Sequence, residues 1–354
     1  MVRNLENGVE NREQLPLTVK SELEDLNGEN PDIDIELGSD GLPRAMAFFD
    51  IDKTFTHLQP VYMEAVPQLF PQEVDAVKLW KVYEAGFKLG TSWREFYRMY
   101  GIYVLGKKEW IDPEVYTEQF MKPHIGEIDN PGNEYYEIAD SYLKKFDMLA
   151  TAAIQRQYSE NPAAFEETKI RPIFHLAKLY KRLKIPMFGM SANPRNFVRQ
   201  ASKVLGLSEY FIDCASDTDV PGAKEYKIDY LIQKAKQKGI PIPYSKLIVV
   251  GDSISGDIGS GIRFKKLAES TSGQGHTNSA DEISVHGLLV AADQGDVDSA
   301  RAKIQQDADL AEMAESMNIQ AIRTDLVEET TNNGRTSSLM AKGHQNKFLI
   351  DLNN

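Results

Sequence analysis

Residues 45–54, Ala45-Met46-Ala47-Phe48-Phe49-Asp50-Ile51-Asp52-Lys53-Thr54, decide how the rest of the chain is read. Five apolar residues in a row suit a strand buried on both faces, as in a parallel sheet. The run stops at two carboxylates one residue apart, Asp50 and Asp52. In open α/β sheets, ligands bind beyond the carboxyl ends of the strands. Two acids crowded there repel each other unless a cation or a shared proton lies between them. The stretch therefore predicts a buried strand that delivers carboxylates to a reactive site.

Downstream of this strand the apolar pattern first turns helical and aromatic, over residues 59–168. Pro71 can open a helix running to about residue 87, and Asp112-Pro113 fits an N-cap followed by Pro at the first helical position. A longer helix is expected over 133–157, with Tyr135, Tyr136, Ala139, Leu143, Phe146 and Ala150 on one side. Trp80, Trp93 and Trp110 read mainly as the apolar interior of this block. Strands and helices then alternate. Helices are expected over 172–184, 196–205 and 227–238, and strands over 185–190, 210–214 and 246–250. Gly206 and Gly239 stand where helices stop. Such alternation predicts an α/β fold with a doubly wound, mostly parallel, Rossmann-like sheet. The helical block reads as an α-helical cap inserted directly after the first strand.

The expected organisation is a polar N-terminal segment over 1–43, a catalytic core over 44–58 and 169–328, the inserted cap over 59–168, and a polar tail over 329–354. Past Gly261 the signals thin out. A Gly/Ser loop is expected at 269–278, a helix over 297–317 and a strand near 320–326. Asp293, Asp296 and Asp298 have the wrong spacing for a calcium loop and read as a helix N-terminus. Gly256, Gly259 and Gly261 do not fit the dinucleotide fingerprint.

Composition narrows the function classes. The 354 residues are 42% hydrophobic and 26% charged, with 53 acidic against 40 basic residues and a net charge of −13. Those fractions are those of a globular protein, and the negative balance argues against nucleic acid or an anionic membrane as partner. The single cysteine, Cys214, forms no internal disulfide and suits a reducing cytoplasm. The sequence contains neither a run of about 18 apolar residues nor an apolar signal core near its start. A cytoplasmic protein is the expectation.

Three apolar strands end in groups suited to one reaction. The first supplies Asp50, Asp52 and Thr54. The second, Pro186-Met187-Phe188-Gly189-Met190-Ser191-Ala192-Asn193, supplies Ser191 and Asn193. The third, Leu247-Ile248-Val249-Val250-Gly251-Asp252-Ser253, supplies Asp252, with Asp257 five positions on. Between the last two lie Lys224 and Lys227. Lys227 stands at the start expected for its helix and is the preferred cation, with Lys224 left as the other choice.

In these residues the chain resembles the haloacid dehalogenase superfamily of phosphohydrolases. The four motifs occur in order: Asp50-Ile51-Asp52-Lys53-Thr54, Ser191 after a strand, a lysine, then Gly251-Asp252 with Asp257. Position 53 is Lys where many relatives have Gly. The stretch from Ser191 to Gly206 is similar to the helical-cap branch that contains phosphoserine phosphatase.

The resemblance implies a Mg²⁺-dependent phosphatase acting on phosphomonoesters through an aspartyl-phosphate. Asp50 would be the nucleophile and Asp52 the general acid and base. Asp50, the Asp52 carbonyl, Asp252 and Asp257 would serve the metal. Ser191 and Lys227 would stabilise the transferring group, Asn193 would join the substrate site, and Thr54 would orient the loop. The substrate would be a phosphorylated small molecule or a phosphoprotein.

Competing readings leave residues unexplained. A mutase or phosphotransferase would share the phosphoenzyme. Superfamily members that cleave carbon–halogen bonds lack the second aspartate. A serine hydrolase built on Ser191, Asp252 and His276 or His286 fails the nucleophile-elbow pattern and gives Asp50, Asp52 and Lys227 no role. A catalytically silent binding protein would have no need of the intact set.

Overall fold

The computed structural model describes residues 41–69, 136–240, 245–271, 283–306, 308–324 and 349–352. β1 (Ala45–Asp50) is buried at every position. It pairs in parallel with β2 (Met187–Met190) on one side and β4 (Lys246–Gly251) on the other. β3 (Asp213–Ala215), β5 (Ser284–Ala291), β6 (Asn318–Arg323) and β7 (Leu349–Asp351) complete a sheet ordered β3-β2-β1-β4-β5-β6-β7. Its first six strands are parallel and β7 is antiparallel to β6. The fold is the expected doubly wound α/β sheet, and the strand order reverses between β1 and β4. That reversal opens the crevice in which such folds bind ligands.

Helices cover both faces. Ala45, Ala47 and Phe49 of β1 point into one apolar cluster, and Met46 and Phe48 into the other. The first cluster takes α1 (Gln59–Ala65), α2 (Tyr136–Glu160), α3 (Pro162–Glu167), α4 (Arg171–Arg182) and α5 (Arg195–Leu205). The second takes α6 (Lys224–Gln237), α7 (Gly259–Thr271), α8 (Gln294–Gln306) and α9 (Ala308–Ser316). Phe49 anchors the first face, with its ring 5.4 Å from Phe55, 5.8 Å from Phe211 and 6.1 Å from Tyr180. Truncating it to Ala would cost about 3–5 kcal/mol, since its neighbours could not close the hole.

Several expectations shift. Residues 210–212 finish a turn after the 3₁₀ segment Leu207–Glu209, so the strand begins only at Asp213. Gly206 does end α5, with φ of 74°. The helix expected over 297–317 is two helices, α8 and α9. Asp293 accepts from Asp296 N at 3.1 Å and Asp296 from Ala292 N at 2.9 Å, a reciprocal cap at the start of α8. β5 was not foreseen; His286 and Gly287 interrupt its apolar run, and a Cβ at Gly287 would lie 2.4 Å from Ile258. The expected polar tail contributes β7, and buried Leu352 joins the second cluster.

The described flanks of 59–168 are helical, as expected. Ala139, Leu143, Phe146 and Ala150 of α2 are buried, in the cluster that also holds β1 and α5. These flanks therefore share the core of the sheet. The expected segments at 1–40 and 272–278, the helices from Pro71 and Asp112, and Trp80, Trp93 and Trp110 lie outside the described residues. Among the described residues no helix is long and apolar enough to cross a membrane.

Candidate active site

Register places the reactive groups. Asp50 pairs with Met190, so Ser191 follows one residue beyond it on the next strand. Phe49 pairs with Val250, so Asp252 emerges two rungs further, beside Asp50. After β4 the chain makes a wide π turn over Ile254–Ile258, in which Ile258 N–H reaches the Ser253 carbonyl at 3.1 Å. That turn brings Asp257 back against Gly251, where a Cβ would lie 2.3 Å from the Asp257 Cβ. Only a residue without a side chain leaves room for this approach. Ser253 N–H fixes the Asp257 carboxylate at 2.9 Å.

As a result Asp50, Asp252 and Asp257 each offer an oxygen within 4.8 Å of the others. With an effective dielectric constant of about 20, each ionised pair at that distance would repel by about 3.5 kcal/mol. Burial and then the neighbouring acids act on the protonation equilibria in the same direction. The Asp50 carboxyl is lifted to about 7, chiefly by desolvation, with Lys224 opposing and Asp257 and Asp52 adding to the rise. Desolvation first, then Asp257 and Asp50, push Asp252 well above its ordinary value.

Lys224 answers part of this charge. Its ammonium donates to Asp50 Oδ1 at 2.5 Å and to Asp257 Oδ1. Burial disfavours the cation, but Asp257 and Asp50 outweigh burial and hold Lys224 above its ordinary range. The preference for Lys227 therefore needs correcting. Lys227 is fully buried, donates to the Gly222 carbonyl at 2.7 Å and stands 3.8 Å from Asp217. Its helix begins three residues earlier than expected, at Lys224. That start puts Lys224, one turn before Lys227, beside Asp50.

Asp52 takes a separate place. Its carboxylate accepts from Leu58 N at 3.0 Å and from Tyr62 Oη at 2.9 Å. Desolvation raises it above its ordinary value against both of these donors. Ser191 and Asn193 are buried together, and Ser191 Oγ accepts from Asn193 N at 3.1 Å. Thr54 is also buried, but its hydroxyl has no hydrogen-bond partner, so it does not hold the loop by a bond of its own. Lys53 adopts a left-handed φ of 56°, where glycine is the unstrained residue. This explains why Gly is the residue expected there by resemblance. His57 is exposed. His286 lies in β5 opposite Ile248, with burial holding its imidazole down to about 4. It sits five residues before the end of its strand and so does not complete a Ser191 triad; His276 is outside the described residues.

Three residues escaped the sequence reading. Tyr62 and Asp147 act through partners distant in sequence, and Asp217 braces a loop. Asp147, on α2, accepts from Phe197 N at 2.7 Å and Asn196 Nδ2 at 2.8 Å. It thereby caps α5, whose own N-cap is Pro194. Asp217 accepts from Gly222 N at 3.3 Å, and its own N–H donates to the Asn193 carbonyl at 3.0 Å. None of the three has a local pattern that would single it out.

The donor set fits a divalent cation. Three carboxylates against one ammonium leave a formal charge of −2 in a largely buried cluster, and all the donors are hard oxygens.

Among solved structures, the chain is similar to YfnB from Bacillus subtilis bound to magnesium (13% identity, 69% of this chain and 88% of that one, TM-score 0.38). It is also similar to a HAD phosphatase from Thermococcus onnurineus (16%, 70% and 87%, TM-score 0.34). A third is L-2-haloacid dehalogenase from Xanthobacter autotrophicus (14%, 75% and 83%, TM-score 0.34). No curated protein matches the sequence. The model of the haloacid dehalogenase-like hydrolases matches residues 45–265, well over half of the sequence and every motif residue described above, and the chain belongs to that family.

Proposed function

We propose that the protein is a Mg²⁺-dependent phosphomonoester hydrolase that works through an aspartyl-phosphate on Asp50. The convergence of Asp50, Asp252, Asp257 and Lys224 at the β1/β4 reversal carries this reading. Asp50, Asp252, Asp257 and the Asp52 carbonyl would hold Mg²⁺. The ion would neutralise charge on the nucleophile and on the phosphoryl oxygens.

In the first half-reaction an Asp50 oxygen forms a bond to phosphorus while the bond from phosphorus to the ester oxygen breaks. Asp52 gives its proton to that departing oxygen. In the second, Asp52 takes a proton from water, whose oxygen attacks phosphorus and releases phosphate from Asp50. Burial keeps the Asp52 carboxyl above its ordinary value, which favours the protonated form that the first half needs. Lys224 and the Ser191 hydroxyl would donate to phosphoryl oxygens. Thr54, whose buried hydroxyl has no partner, can donate to the same group.

Carbon–halogen cleavage is the second reading within the family. A halide departs as a stable anion and needs no proton, so it gives Asp52 and its two donors no purpose. The held second carboxylate favours an ester. The substrate would be a phosphorylated small molecule or a phosphoprotein. Residues 59–168 would cap the site and exclude water. A cytoplasmic location agrees with the lone Cys214, a partly buried thiol whose pKa desolvation raises to about 11.

A panel of phosphometabolites and phosphopeptides, assayed with and without Mg²⁺, tests the reading. Phosphate release should require Mg²⁺ and vanish in Asp50→Asn. Turnover that survives Asp50→Asn would remove the nucleophile and the mechanism with it.

A further inference from the structure

Asp52 can protonate a leaving oxygen only if its carboxyl points toward that oxygen, and a short side chain after a strand end can rotate. Two donors restrain it here. Leu58 N–H binds Oδ1 at 3.0 Å and Tyr62 Oη–H binds Oδ2 at 2.9 Å. Tyr62 lies on α1, the helix that follows the first motif. It is itself buried, with its ring 6.1 Å from Phe146 of α2 and 6.0 Å from Phe197 of α5.

The Tyr62 oxygen also accepts from Asn193 Nδ2 at 3.0 Å. Asn193 Nδ2 lies 3.3 Å from Ser191 Oγ, and Asn193 N–H donates to that same oxygen at 3.1 Å. These donations fill acceptor positions on Ser191 and leave its own O–H to be given outward. A line of hydrogen bonds thus runs from Asp52 through Tyr62 and Asn193 to Ser191. It joins the two sequence motifs across 139 residues of chain.

We propose that Tyr62 is a positioning residue for Asp52, and that through Asn193 it sets the general acid and the Ser191 hydroxyl in one fixed relation. The tyrosine acts through the Asp52 carboxyl and does not itself give or take the proton. With its hydroxyl removed, Asp52 keeps only the Leu58 donor and loses the orientation that proton delivery requires. The inference rests on the phosphatase reading above and adds a residue to its machinery.

The test compares two probes with wild-type protein and Tyr62→Phe in the presence of Mg²⁺. Phenyl phosphate has a leaving oxygen that benefits from protonation. 2,4-Dinitrophenyl phosphate has one that departs readily as an anion. Because kcat/KM reports on steps up to leaving-group departure, only the first probe should feel the loss of an oriented acid. Tyr62→Phe keeps the ring contacts, and its kcat/KM for phenyl phosphate should fall about 10- to 100-fold, a part of the roughly 10²–10⁴-fold that a placed acid supplies. For the dinitrophenyl ester the fall should stay below about threefold. In an Asp52→Asn background the same substitution should add almost nothing, since non-additivity marks residues acting through one another. An equal loss on both probes, no loss on either, or full additivity with Asp52→Asn would overturn the proposal. Wild-type protein inert toward both esters would instead overturn the phosphatase reading, and the inference with it.

Discussion

The most discriminating perturbation is a pair of substitutions, Lys224→Met and Lys227→Met, because the two lysines sit one helical turn apart and do different things. Lys224 Nζ is 2.5 Å from Asp50 Oδ1, and its side chain is 15% exposed. At an effective dielectric constant of about 20, full unit charges at that distance attract by about 6–7 kcal/mol. On the proposed mechanism much of this would be present before reaction, because Asp50 would attack as the anion, and the part that grows in the transition state would belong to the phosphoryl oxygens. Removal of one placed electrostatic donor typically costs about 3–4 kcal/mol, or about 10²–10³ in kcat. Lys224→Met should therefore lose that much turnover.

Lys227 makes the opposite prediction. Its ammonium is fully buried, bonded to the Gly222 carbonyl and paired with Asp217. Removing one partner of a buried pair strands the other and destabilises by about 3–5 kcal/mol. With an unfolding entropy of about 2.1 cal/mol/K per residue over 354 residues, that corresponds to a Tm lower by about 4–7 °C. Below that Tm, kcat should fall less than tenfold. Steady-state phosphate release and calorimetry on both variants give the answer. A folded, thermally unchanged but inactive Lys227→Met, beside an active Lys224→Met, would refute the assignment of the cation.

Three further outcomes follow from the same contacts. Desolvation lifts Asp50 from 3.8 to about 7, so between those values the folded chain binds more protons than the unfolded one and metal-free stability falls as pH rises. A divalent ion competes with those protons, and the Mg²⁺-induced rise in Tm should be larger at pH 8 than at pH 6; an equal or reversed effect would place the ion elsewhere. Gly251→Ala introduces a methyl 2.3 Å from the Asp257 Cβ. It should displace Asp257 and weaken Mg²⁺ about 10- to 100-fold by titration calorimetry, and unchanged affinity would show that Asp257 does not serve the metal. Asp147→Ala leaves the Phe197 N–H, and with it the start of α5, without its cap. It should cost about 1–3 kcal/mol in denaturant unfolding, and an unshifted midpoint would deny the cap any weight.

The sheet was legible because parallel strands buried on both faces must be continuously apolar, and β1, β2 and β4 each read that way before stopping at a polar residue. Asp50, Ser191 and Asp252 fell out of those stops without further information. β5 was not legible. Gly287 is present because Ile258 approaches it, and His286 is tolerated as a buried neutral ring; both are tertiary facts written as breaks in a local pattern. β7 is three residues whose strand character comes from pairing with β6. Tyr62 looked like any aromatic residue on a helix, since its partners lie 10 and 131 positions away.

The exchange of Lys224 for Lys227 shows why a site can be read to the right turn of the right helix and still be misassigned. Residues three apart on a helix share a face, so both lysines project from the same side of α6. Which of them reaches Asp50 depends on where the helix begins. Ala223, at the N-cap, has no side-chain oxygen to announce that boundary. The determining feature lies in the preceding loop. Asp217 accepts from Gly222 N–H at 3.3 Å while Lys227 donates to the Gly222 carbonyl. Gly222 itself takes a φ of 88°, a left-handed turn open to a residue without a side chain. The buried lysine thus braces the loop that starts the helix and does not itself meet the acids, which is why its removal should cost stability first and turnover less.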